Sequence, residues 1–196
     1  MAIYLLFIQH IMFSLSAKGK AAIVVPTGFI TAQSGIERKI REKLVEDKML
    51  RGVVSMPSNI FATTGTNVSI LFLDKANIKG DIVLMDASKL GITVKEGKNQ
   101  KTLLSPNEEQ LIIKTFNEHK AVEDFTVVVS YEQIKEKNYS LSAGQYFDVK
   151  IEYTDITAKE FEKKMDGYKG NLDKLFGESK DLEKEIKKQL AGLKYA

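Results

Sequence analysis

The chain has no cysteine among its 196 residues. Disulfides and thiolate metal sites are therefore excluded, and the composition fits a protein of a reducing compartment, so we expect a cytoplasmic location. The two histidines, His10 and His119, have no partner ligands at metal-binding spacing, and no Ser-His-Asp or Cys-His arrangement is visible. The sequence thus predicts no metal site and no hydrolytic catalytic residues.

Long apolar runs and strong charge are also missing. The apolar start, residues 5–12, is interrupted by Gln9 and His10 and has no basic segment before it. It is well short of the roughly 18 apolar residues that a membrane span needs, so we expect no membrane partner. The net charge of +3 permits nucleic-acid contact but does not indicate it.

The residues that are present predict an α/β fold. Apolar, β-branched runs at residues 21–25, 50–54 and 68–73 are each of strand length, and a polar helical segment separates the first two. Such runs are typical of strands buried on both faces, and strand–helix–strand is the repeating unit of a parallel sheet. In the helical segment, Ser34 and Glu37 form a capping-box pattern, and Ile36, Ile40 and Leu44 share one face that should pack on the sheet.

The second half of the chain is less regular. Residues 80–86 and 125–129 read as further strands, and residues 90–101 as a polar loop. Ser105 and Glu108 form a second capping-box pattern before a helix whose apolar side includes Phe116.

Several segments together resemble one family, the modification (M) subunit of type I restriction-modification systems, a DNA adenine-N6 methyltransferase. The segments are residues 25–29 (VPTGF), 34–41 (SGIERKIR), 59–72 (NIFATTGTNVSILF), 97–100 (GKNQ) and 138–146 (NYSLSAGQY). The resemblance covers only the second half of such a subunit. It implies a partial class I methyltransferase, Rossmann-like sheet with flanking helices, including the strands of its terminal hairpin.

Two motifs of that family are absent. Its S-adenosylmethionine site needs a glycine-rich turn, whereas none of the 13 glycines here forms Gly-x-Gly. Its catalytic loop is Asn-Pro-Pro-aromatic, whereas Pro26, Pro57 and Pro106 are the only prolines and none are adjacent. We therefore expect the parent protein to use S-adenosylmethionine, and this chain alone to hold no cofactor, to contain no catalytic residue and to be inactive by itself.

The resemblance suggests other site residues. Phe61 would stack on the flipped target base, since a methyltransferase must extrude that base from the duplex; a core phenylalanine is the alternative. Pro26, Thr27 and Gly28 follow the first strand and would wall the base or cofactor pocket, because ligands gather at the carboxyl ends of strands; an ordinary turn is the alternative. Residues 98–101 would meet phosphates or a neighbouring subunit, or form a solvated loop.

The last segment, residues 151–196, has a different pattern and predicts a helical tail after a first domain at residues 1–150. A third capping-box pattern at Thr157 and Glu160 precedes a seam with heptad character, and glycines including Gly177 suggest a bend. The main apolar positions of this seam are Phe161, Met165, Tyr168, Leu172, Leu175, Leu182, Ile186 and Leu193.

Such a seam cannot bury itself, and the resemblance implies docking on the specificity (S) subunit, with the restriction (R) subunit and DNA joining in the full complex. A helical hairpin folded on the chain's own domain is the alternative. The absent first strands would leave an open sheet edge, so we expect the isolated chain to self-associate. Two other functions stay open: a non-enzymatic partner-binding module, and half of a split methyltransferase.

Overall fold

The computed structural model describes residues 2–61, 66–97, 99–148 and 156–192. The chain divides into two compact units, residues 1–148 and 149–196. The first unit contains all the strands described here, and the described part of the second contains one long helix.

A five-stranded mixed sheet organises the first unit. Its strands, in spatial order, are β1 (Lys20–Pro26), β3 (Val68–Asp74), β2 (Leu50–Ser55), β4 (Ile82–Asp86) and β7 (Thr126–Val129). Strand β3 is antiparallel to both β1 and β2, β2 is parallel to β4, and β4 is antiparallel to β7. Strands β1, β2 and β4 therefore point in one direction and bring their carboxyl ends to one edge.

The α/β class is confirmed, but the pairing differs from a simple parallel unit. Strands β1 and β2 are parallel, as strand–helix–strand predicts, yet they are not neighbours, because β3 lies between them. The link from β2 to β3 contains no helix in its described part. A parallel neighbour requires a long crossover, usually helical, so the shorter return favours antiparallel pairing.

Helices cover both faces of the sheet. They are α1 (Ile3–Ser14), α2 (Gly28–Thr31), α3 (Gly35–Glu46), α4 (Pro106–Asn117) and α5 (Tyr131–Glu136). Because alternate strand residues face opposite sides, Leu71 and Leu84 join a core with α1 and α3, whereas Val83 and Met85 pack with Phe116 of α4. The sheet is therefore enclosed as the middle layer of the unit.

The predicted helix starts are only partly confirmed. Ser105 caps α4 through a complete capping box with Glu108. In the described part of the chain, the Ser34 side chain makes no capping bond to α3, since Gly35 adopts a left-handed φ of 82° at the junction. Ile40 and Leu44 are buried as predicted, but Ile36 is 44% exposed, so the apolar side of α3 is narrower than its sequence suggests.

The predicted polar loop at residues 90–101 is wrong. Residues Ile92–Glu96 (β5) and Asn99–Leu103 (β6) form a separate antiparallel hairpin. Strand β5 alternates apolar and polar residues from Ile92 to Lys95, but β6 is polar up to Leu103, so the sequence shows no period-two pattern across the hairpin.

The second unit contains α6 (Ala158–Ala191), a helix of 34 residues. Thr157 and Glu160 form its predicted capping box. The helix runs without a break through Gly177, so the expected interruption there does not occur. Within the described residues, no helix is long and apolar enough to cross a membrane.

Candidate functional site

A polar cleft of about 300 Å³ lies where β1, β2 and β4 end. The residues that line it are Thr27, Ser55, Met56, Ser58, Asn67, Asp86, Ser88, Ser142 and Ala143. In open α/β sheets, the carboxyl edge is where ligands bind, because the strands there diverge into separate loops. Hydroxyl, amide and carboxylate groups dominate the lining, so the cleft suits a ligand with several hydrogen-bonding groups.

Thr27 fixes the β1 side of the cleft. Its backbone N–H donates to the carbonyl oxygen of Asn67 at 2.9 Å, which extends the β1–β3 pairing by one residue. Its hydroxyl oxygen lies 3.2 Å from that of buried Ser69. These bonds hold the end of β1 and the start of β3 together as one wall.

Asp86 fixes the β4 side. Its carboxylate accepts a hydrogen bond from the backbone N–H of Ser88 at 3.0 Å, and its own N–H donates to the carbonyl of Phe125 at 2.8 Å. Ala87 N–H in turn donates to the carbonyl of Ser55 at 2.9 Å, which joins the ends of β2 and β4. The carboxylate is thus held in place and supplies an acceptor to the cleft.

A buried arginine links the segments that form the third side. Arg41 of α3 is fully buried, and its guanidinium donates to the carbonyl oxygens of Phe29 and Ala32 and, at 2.7 Å, to that of Tyr139. Leu141 N–H also donates to the carbonyl of Ile30 at 3.0 Å. Residues 29–32 and 139–141 are therefore tied together, which places Ser142 and Ala143 beside Thr27 in the cleft.

The environment of this link disfavours charge. Burial, together with the neighbouring Arg38 cation, lowers the pKa of Arg41 to about 10, and burial raises the pKa of Tyr146 to about 12. Tyr146 donates its hydroxyl to the carbonyl of Ser140 at 2.7 Å. Both side chains bind backbone carbonyls, so their role in the described structure is to hold the 139–146 segment.

The structure places one of the three predicted pocket-wall residues in the cleft. Thr27 lines the cleft, whereas Pro26 ends β1 and Gly28 begins α2 without lining it. Phe61 is 48% exposed and lies three residues after Ser58, which lines the cleft. This exposure is unlike that of a buried core phenylalanine, and the base-stacking role stays a prediction.

Several cleft residues were not identified in the sequence. Asp86 was detectable, because it is a carboxylate at the end of a recognisable strand. Ser142 lies in the segment 138–146 that resembles the family, but it follows no strand, and its place in the cleft depends on the bonds that Arg41 and Leu141 make with residues 29–32 and 139. In the part of the chain that the structure describes, no group of three or more His, Asp or Glu residues is placed to hold a metal ion.

The predicted docking seam lies on α6 and is exposed. Every described position of it is at least 39% exposed: Phe161, Met165, Tyr168, Leu172, Leu175, Leu182 and Ile186. Leu190, which the heptad pattern omitted, lies along the same strip as Leu182 and Ile186, and Leu193 lies outside the described residues. No described residue of α6 is buried, so the seam is unpacked along its length.

Comparisons with known proteins agree on one family. The model of the family described as N-6 DNA Methylase matches residues 2–155. The type I restriction enzyme MpnII methylase subunit of Mycoplasma pneumoniae is 33% identical over 191 residues, which cover 97% of this chain and 33% of that protein. The MjaIX methylase subunit of Methanocaldococcus jannaschii is 28% identical over 96% of this chain and 34% of its own length.

Solved structures give the same result. A type I restriction-modification methyltransferase subunit from Streptococcus thermophilus superposes with a TM-score of 0.64 and 28% identity, covering 73% of this chain and 30% of that one. A second structure, from work on assembly of a type I R-M system, covers 94% of this chain with a TM-score of 0.59 and 19% identity, and so supports the fold alone. The chain spans about a third of the length of the curated relatives described above. The resemblance seen in the sequence is confirmed: the relatives described above are methylase subunits of type I restriction enzymes, and the chain belongs to the N-6 DNA methylase family.

Proposed function

We propose that this chain is part of the DNA-modifying subunit of a type I restriction-modification system, whose whole subunit transfers a methyl group from S-adenosylmethionine to adenine N6. One observation carries the proposal: a polar cleft lies at the carboxyl edge of the sheet in a chain 33% identical to a type I methylase subunit across 97% of its length. The proposed location is the cytoplasm.

The described residues do not fit the cofactor. The sequence contains no Gly-x-Gly, the glycine-rich turn at which backbone approaches this cofactor, and no Asn-Pro-Pro. We therefore assign cofactor binding and methyl transfer to residues outside this sequence, and assign to this chain a wall of the target-base site.

In that wall, Phe61 offers an exposed aromatic face, and the Asp86 carboxylate and Thr27 hydroxyl offer hydrogen-bond partners. A base removed from the duplex loses stacking and pairing, and an aromatic ring and polar groups replace both. This is a contribution to binding alone, since none of the three side chains has to transfer a proton.

The exposed seam of α6 supports a second part of the proposal. A 34-residue helix with an unpacked apolar strip is suited to pack against another long helix by interdigitation of side chains. We assign this strip to the specificity subunit, with the restriction subunit and DNA present in the complete assembly. The same observation favours a rival function, a partner-binding module without enzymatic activity.

Reconstitution tests the function. The chain would be mixed with a polypeptide that supplies the glycine-rich turn and the Asn-Pro-Pro-aromatic loop and with the specificity subunit, and transfer of labelled methyl groups to adenine in duplex DNA would be measured. We expect transfer only when all components are present. A complete mixture that assembles without transferring methyl groups would favour the binding module.

Phe61→Ala examines the wall directly. Stacking of a base is worth roughly 1–3 kcal/mol, so the variant should lower methyl transfer by roughly fivefold to 150-fold while calorimetry shows unchanged S-adenosylmethionine affinity of the assembly. Phe13→Ala, which removes a phenylalanine that is 88% exposed on α1, is the matched control. Equal turnover of both variants would remove Phe61 from the site.

A further inference from the structure

The β5–β6 hairpin has no part in the cleft or in the enclosed core described above. It is a two-stranded sheet separate from the main one, and its register pairs Thr93 with Thr102 and Lys95 with Gln100. A two-stranded ribbon has the dimensions to enter the major groove of duplex DNA. The question is therefore which face the hairpin presents and beside which residues.

The base of the hairpin is fixed to the segment that carries Phe61. Thr102 N–H donates to the carbonyl of Asn59 at 2.9 Å, two residues before Phe61. The hydroxyl oxygens of Thr93 and Thr102 lie 3.1 Å apart across the strands. The hairpin and the Phe61 segment are thus held together by backbone bonding, and a ligand that reaches one lies near the other.

A carboxylate closes the hairpin at its ends. Glu108, at the start of α4, accepts hydrogen bonds from the backbone N–H of Gly91 at 2.8 Å and of Ser105 at 2.7 Å. These two residues precede β5 and follow β6, so one side chain joins both ends of the ribbon to the sheet-covering helix. The base of the ribbon is therefore anchored at two points.

The register places Thr93, Lys95, Gln100 and Thr102 on one face, because alternate residues of a strand point the same way. Thr102 is buried at the base, beside Asn59, whereas Lys95 and Gln100 are exposed toward the tip. Within the described strands of the hairpin, no acidic residue lies on this face. The exposed polar groups of this face are one ammonium group and one amide, which can bind phosphate oxygens and base edges.

We propose that this face of the β5–β6 hairpin binds duplex DNA beside the target base, with Lys95 contacting a backbone phosphate and Gln100 contacting an adjacent phosphate or base edge. The proposal rests on the proposed function, since it takes DNA as the substrate. The opposite face, where Ile92 is 73% exposed and Leu103 47% exposed, has the composition of a protein contact and is not part of this surface.

The test measures binding of the full chain to a fluorescent 20-base-pair duplex by anisotropy over a series of salt concentrations. Loss of one phosphate contact should lower the slope of log K against log salt by about 0.9, which corresponds to roughly eightfold weaker binding at 0.1 M salt. Lys95→Gln should show both effects. Lys39→Gln removes the same charge from an exposed position of α3. Apart from the small general effect of a lower net charge, its salt slope and its DNA affinity should stay unchanged.

Gln100→Leu separates direct contact from charge. It should weaken binding without changing the salt slope if the amide reads a base edge, and circular dichroism should show that both hairpin variants are folded. Wild-type DNA affinity in both Lys95→Gln and Gln100→Leu would overturn the proposal, and weaker binding of the specificity subunit in these variants would then assign the face to a protein partner. Absence of salt-dependent binding by the wild-type chain would also overturn it, whereas methyl transfer in the reconstituted mixture decides the proposed function separately.

Discussion

Replacing Arg41 with methionine should destabilise the first unit more than any exposed substitution. The change keeps a long aliphatic side chain in the core but removes the guanidinium that donates to the carbonyls of Phe29, Ala32 and Tyr139. The bond to the Phe29 carbonyl is buried and those to Ala32 and Tyr139 are partly buried, so water cannot replace all three without opening the structure. The variant therefore measures the contribution of one side chain to joining residues 29–32 and 139–141.

The expected magnitude follows from two opposing terms. A buried carbonyl that loses its donor costs about 1–3 kcal/mol, so the three carbonyls cost at most roughly 9 kcal/mol, and less because the bonds to Ala32 and Tyr139 are only partly buried. Burying the Arg41 cation is itself unfavourable, as the lowered pKa of about 10 indicates, and methionine removes that cost of several kcal/mol. The difference leaves a net destabilisation of about 3 kcal/mol.

Urea unfolding followed by near-ultraviolet circular dichroism of the tyrosines is the assay. With a slope of about 2 kcal/mol per molar urea, the midpoint should fall by about 1.5 M. Lys43→Met on the same helix is the control, since Lys43 is exposed and pairs only with Asp47 among the ion pairs described here, at 2.8 Å, an arrangement worth about 1 kcal/mol or less. Equal midpoint shifts in the two variants would refute the conclusion that Arg41 holds residues 29–32 and 139–141 together.

Two further predictions concern pH and assembly. Burial raises the pKa of Tyr131 to about 12, and its hydroxyl donates to the carbonyls of Leu50 at 3.1 Å and Asn77 at 3.0 Å. The contribution of Tyr131 to the free energy of unfolding is therefore complete below pH 10 and falls by about 1.4 kcal/mol per pH unit as pH rises toward 12. Tyr131→Phe should be less stable than the unchanged protein at neutral pH, and its stability should change less with pH in that window. Urea midpoints that run in parallel for the two proteins from pH 9.5 to 11.5 would contradict this. Strand β1 ends the sheet order with an unpaired edge in the described structure, and Val24 on it is 45% exposed, so light scattering should show concentration-dependent association of the isolated chain; a monomer at every concentration would count against it.

The sequence was informative where burial alone sets the pattern. Strands β2 and β3 coincide with predicted apolar runs, because a strand covered on both faces must be apolar at successive positions. Strand β1 also coincides with its apolar run, but the expectation that it is buried on both faces is wrong, since Ala22 and Val24 on this edge strand are exposed. The position of β3 between β1 and β2 was not predictable from those runs, since pairing depends on how the connecting segments return. The hairpin was missed for another reason: exposed lysines and amides are equally compatible with a strand and a loop.

The candidate site could likewise be predicted from the sequence only in part. Thr27 and Asp86 follow recognisable strands, and strand ends are the expected position for ligand-binding groups. Ser142 reaches the cleft through contacts between segments about a hundred positions apart in sequence, from Arg41 to the backbone of residue 139 and from Leu141 to that of Ile30. A buried arginine in a helix rich in exposed charges has no distinguishing sequence pattern, so this link becomes visible only in three dimensions.

The length of α6 affects how long an unpartnered copy of this polypeptide persists inside a cell. At 1.5 Å per residue its 34 residues reach about 50 Å, and along that distance the apolar strip faces solvent in a lone copy. Long exposed apolar surface favours aggregation and recognition by quality-control proteases. Copies made in excess of their helical partner should consequently be degraded. The amount of soluble subunit would then follow the amount of the partner that covers the apolar strip.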